Sequence, residues 1–113
     1  LAEHLAQINA MNEKILKEAV GNCRQKIAAV RNMLKQNLID PKIVDDCWQR
    51  FRVLGTQVAK REALKSFETK SKELTSIDML QLKEPKALES HLQVIEGFLK
   101  QVEPAIQKLT QGH

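Results

Sequence analysis

Apolar residues recur along this chain at helical spacing in three long stretches. In the first, Leu16, Val20, Cys23, Ile27, Val30 and Leu34 are separated by alternating steps of four and three, which places them on one face of an α-helix. Leu1, Leu5 and Ile8 follow the same alternation one residue out of phase, and the doublet Ile15/Leu16 absorbs the slip. In the second stretch, Val44, Cys47, Phe51, Leu54 and Val58 form the stripe, with Trp48 on its flank. Beyond Val58 the stripe weakens. Arg61 stands where an apolar residue is due, and Leu64, Phe67 and Leu74 resume the pattern. The third stretch is the most regular: Leu88, Leu92, Ile95, Leu99, Val102, Ile106 and Leu109 hold the heptad without exception. Val94 and Phe98 widen that face enough to touch two neighbours.

Two proline-led starts, Asp40-Pro41 and Glu84-Pro85, separate these stretches. Asp40 suits an N-cap and Pro41 the first helical position. Asn37 is expected in the left-handed conformation that ends a helix, with Leu38 folding back on the last turn. Gly55, in mid-helix, costs about 1 kcal/mol against Ala, and marks either a close approach of a neighbour or a bend. Pro104 interrupts the backbone ladder while the apolar phase continues, so a kink or short break is expected there, and Gly112 is a natural stop. The pattern predicts an all-α fold: helices over about 2–36, 41–74 and 85–111, joined by a connection at 75–84. With short connections, these long helices give an antiparallel, up-down-up three-helix bundle.

At 113 residues the chain is one domain with room for a core that needs neither metal nor disulfide. It begins with Leu rather than Met, which points to a domain cut from a longer protein. No run approaches the roughly 20 apolar residues of a membrane-spanning helix, and the first residues do not read as a signal peptide. Cys23 and Cys47 are expected to be free and buried, too far apart along a helix hairpin to pair. That suits an intracellular setting, cytoplasmic or nuclear. The net charge of +4 is a mild tilt, short of the dense basic stripe of a dedicated nucleic-acid binder.

Chemistry is sparse. His4, His91 and His113 have no partner at metal-ligand spacing, and His91 borders the apolar face of the last helix, where a packed histidine is expected. Asp45 and Asp46, adjacent on a helix, point about 100° apart and do not converge. No phosphate loop, nucleophile elbow or Ser/His/Asp arrangement is present. The expectation is a protein with no catalytic residues, no metal ligands and no cofactor.

Charge is better patterned. Lys17, Arg24 and Arg31 recur every seven residues along one edge of the first helix, and Glu89, Glu96 and Glu103 do the same on the last. Such edges shield a core, or steer a partner. The hand of a bundle is not legible in the pattern, so whether the edges meet stays open. A second basic group, Arg50, Arg52, Lys60, Arg61 and Lys65, wraps around the second helix instead of lining one face. The connection carries Ile77, Met79, Leu80 and Leu82, unusually apolar for a loop. These residues either cap the bundle end or form an exposed hydrophobic site.

Residues 72–113, with a Leu-x-Ser loop, the run Leu88-Glu89-Ser90-His91-Leu92 and a heptad helix ending in Gly-His, resemble the first loop and second helix of a spectrin-type repeat. The resemblance covers under half the chain, and it implies a cytoskeletal or scaffold context without catalysis. The residues themselves point to a non-catalytic protein-interaction or scaffold module. Its contacts would be Ile77, Met79, Leu80 and Leu82, with Trp48 as an anchor and Lys17, Arg24 and Arg31 for steering. Self-association is compatible with the heptad stripe. The alternative is a helical domain that binds nucleic acid or another anionic surface through its basic edges.

Overall fold

A computed structural model describes residues 2–111, with side chains described over 13–109. The Leu1–Leu5–Ile8 stripe, His4, Gly112 and His113 therefore lie outside the described side chains. Helix α1 spans Ala2–Lys35, α2 Pro41–Ala59, α3 Glu68–Thr75 and α4 Pro85–Gln111. Two 3-10 turns, Glu62–Phe67 and Met79–Gln81, fall between them, and among the described residues there is no strand. The fold is all-α, but it has four helices, not three.

The difference arises at residues 60–67. After Val58 the next two stripe positions are Arg61 and Glu62, and continuing the helix would press charge into the core, which is costly. The helix ends at Ala59 instead. Arg61 takes an extended conformation (φ −111°, ψ 120°) and its guanidinium folds back to donate to the Gln57 carbonyl at 2.6 Å. The 3-10 turn then carries Leu64 into the core, fully buried, and reverses the chain.

That reversal changes the direction of everything after it. Helix α3 returns along α2, with Ser71 beside Gly55 and Thr75 beside Trp48. Helix α4 then descends beside α1: Arg24 meets Glu103 and Arg31 meets Glu96, so numbers rise on one helix as they fall on the other. A three-helix up-down-up bundle would have run its first and last helices parallel. Here they are antiparallel, and the order is up-down-up-down.

One core joins the four helices. Leu16, Cys23, Val30, Cys47, Phe51, Leu54, Leu88, Leu92, Ile95 and Leu99 are fully buried, as the heptad spacing requires. Phe98 meets Phe51 of α2 edge to face at 5.8 Å, and Phe67 of the 3-10 turn at 6.3 Å. Such pairs add about 0.5–1.5 kcal/mol beyond their burial. Of the doublet Ile15/Leu16, Leu16 is buried and Ile15 exposed, and the earlier register of Leu1, Leu5 and Ile8 lies outside the described side chains. Helix α4 is continuous through Pro104. Gly55 is the close approach, not a bend: a Cβ there would lie 2.6 Å from the Ser71 Oγ. The molecule measures 53 × 22 × 18 Å. Helix α1, at about 1.5 Å rise per residue, runs nearly that whole length.

Candidate functional site

Both connections that carry a proline-led start lie at the same end of the bundle. Helix α1 finishes in a Schellman motif. Asn37, at φ 57°, donates to the Leu34 carbonyl at 3.0 Å, and the Leu38 amide reaches back to the Met33 carbonyl at 3.2 Å. Asp40 then caps α2, its carboxylate accepting from the Lys42 amide at 3.0 Å. Leu38 and Ile39 are stranded between stop and start, with no helix turn to bury them. Leu38 is 58% exposed although its backbone folds back as the motif demands.

The second connection repeats the logic on a smaller scale. Asp78 caps the 3-10 turn by accepting from the Leu80 amide at 3.0 Å. The turn sends its apolar residues in opposite directions. Met79 is completely buried and Leu82 packs partly against the core, whereas Leu80 is 37% and Ile77 40% exposed. Between the two connections lies a hollow of about 220 Å³ lined by Ile39, Pro41, Val44, Met79, Leu80 and Leu82, with Lys83 as the only charged lining residue. Of the seven large apolar side chains exposed among the described residues, Leu38, Ile39, Ile77 and Leu80 belong to this end. The other three are scattered singly on α1, α2 and α4. A clustered set, unlike scattered ones, is a candidate interaction surface.

The remaining expected site residues differ in exposure: Trp48 and Arg31 are partly buried, and Lys17 and Arg24 are exposed. Trp48 is half-buried, its indole N–H donates to the Thr75 carbonyl at 3.3 Å, and the Arg52 guanidinium lies 5.2 Å above its ring. It fastens the end of α3 to α2. Arg24 and Arg31 are occupied by Glu103 and Glu96, the Arg31 contact measuring 2.6 Å. The Glu103 hydrogen bond, first among the causes, holds the Arg24 guanidinium above its ordinary pKa. The two charged edges do meet, and this chain's own carboxylates answer the cations expected to steer a partner. Lys17 is exposed beside Val20 and Gly21, and has no ion pair among the described residues.

No protein-family model matches the chain, and neither the curated proteins nor the solved structures include a match. The site therefore rests on its geometry alone.

The buried polar groups do not assemble into chemistry. Cys23 and Cys47 are free, and burial first of all pushes each thiol up to about 12, which suppresses the reactive thiolate. Lys26 lies 3.9 Å from Asp46 across the α1–α2 contact, and the Cys47 charge adds to the upward shift of Cys23. His91 is buried, its Nε2 has no partner, and burial lowers its pKa. Among the described residues, no group of three or more His, Cys, Asp or Glu side chains converges as a metal site. No helix there is long and apolar enough to cross a membrane.

Leu38 and Ile39 are the site residues that periodicity misses. The signal was present: two large apolar residues between a helix stop and a helix cap have nowhere to be buried.

Proposed function

We propose that this chain is a protein-interaction module that docks a partner at the apolar end of the bundle. The observation that carries the reading is the clustering of Leu38, Ile39, Ile77 and Leu80 around a hollow, with Met79 and Leu82 as its floor. An apolar rim over a rigid core offers desolvation without distorting the fold, the basis of a protein contact. A scaffold role, suggested by the resemblance of residues 72–113 to a spectrin-type repeat, belongs to the same proposal.

The nucleic-acid reading loses support at Arg24 and Arg31. A cation already paired with a carboxylate releases fewer counterions on meeting phosphate. The test is quantitative capture of binding proteins by the wild type, by Leu80→Asp and by the pair Arg24→Gln/Arg31→Gln, with melting curves for all three. Leu80→Asp should lose its captured partner at unchanged helicity and little-changed melting, while the double variant keeps it. Capture that survives Leu80→Asp contradicts the proposal. DNA or RNA affinity that falls steeply with salt, and vanishes in the double variant, would establish the alternative.

A further inference from the structure

We draw no further inference here: the strongest candidate, the groove of about 390 Å³ between α1 and α4 lined by Lys17, Val20, Gly21, Arg24, Glu103 and Ile106, has Arg24 already answered by Glu103 at its rim, and nothing in the structure shows what covers it.

Discussion

The α1–α4 seam and the apolar end were both candidate functional surfaces in the sequence, the apolar connection the stronger, and they differ in what the fold leaves unanswered. Along the seam, Arg24 and Arg31 face Glu103 and Glu96 of the same chain. At the end, Leu38, Ile39, Ile77 and Leu80 stay partly exposed, with no other described part of the chain covering what remains. A patterned charge edge announces a surface, but its energy can be spent internally. In the two connections the chain covers Met79 and Leu82 but leaves Leu38, Ile39, Ile77 and Leu80 partly in water.

The strongest way to break this comparison is to attack the floor of the end rather than its rim. Met79→Ala should cost about 2–5 kcal/mol in denaturant unfolding, because a fully buried side chain is replaced by a cavity. A small effect would make Met79 part of the exposed patch. Gly55→Val comes next. It drives a side chain into Ser71 and should cost about 1–3 kcal/mol, with partial rescue by Ser71→Gly. Absence of rescue would refute the close packing of α3 on α2.

A pH-dependent loss follows from His91. Burial lowers its pKa below the ordinary 6.5, so the unfolded chain binds its proton first as pH falls. Stability should be flat above that value and decline on acidification below it. His91→Leu should flatten its part of the slope, and an unchanged slope would show that other groups carry it.

The seam itself should matter less. A double-mutant cycle on Arg24 and Glu103, both more than a third exposed, should give a coupling below about 1 kcal/mol that fades in salt. Coupling well above that would make the seam a principal element of stability. Leu80→Asp should also be small in stability, about 1 kcal/mol, because more than a third of its side chain already meets water.

Much of this was legible before the fold was known, for local reasons. Asn37 and Asp40 act through the backbone within a few residues, so the stop and the start can be read from their identities. The buried stripe of α4 needs only its own period. The reversal at 60–67 was not legible in the same way. It contains neither proline nor glycine, and Leu64, Phe67 and Leu74 resume at intervals a straight helix would also allow. Arg61 was the one sign, and its weight depends on what would bury it. The site divides similarly. That residues 77–82 are apolar could be read directly, but the split of Met79 inward and Leu80 outward depends on a 3-10 turn capped by Asp78. The hydrogen bond of Trp48 was not legible, because the Thr75 carbonyl reaches it only when α3 folds back.

The most direct test is a backbone amide shift map of the 15N-labelled chain on adding a captured partner. The account predicts that the largest changes fall on Leu38, Ile39, Ile77, Leu80 and Lys83, while Lys17, Arg24 and Arg31 stay still. The largest changes along Lys17, Arg24 and Arg31, with the apolar end unmoved, would contradict it.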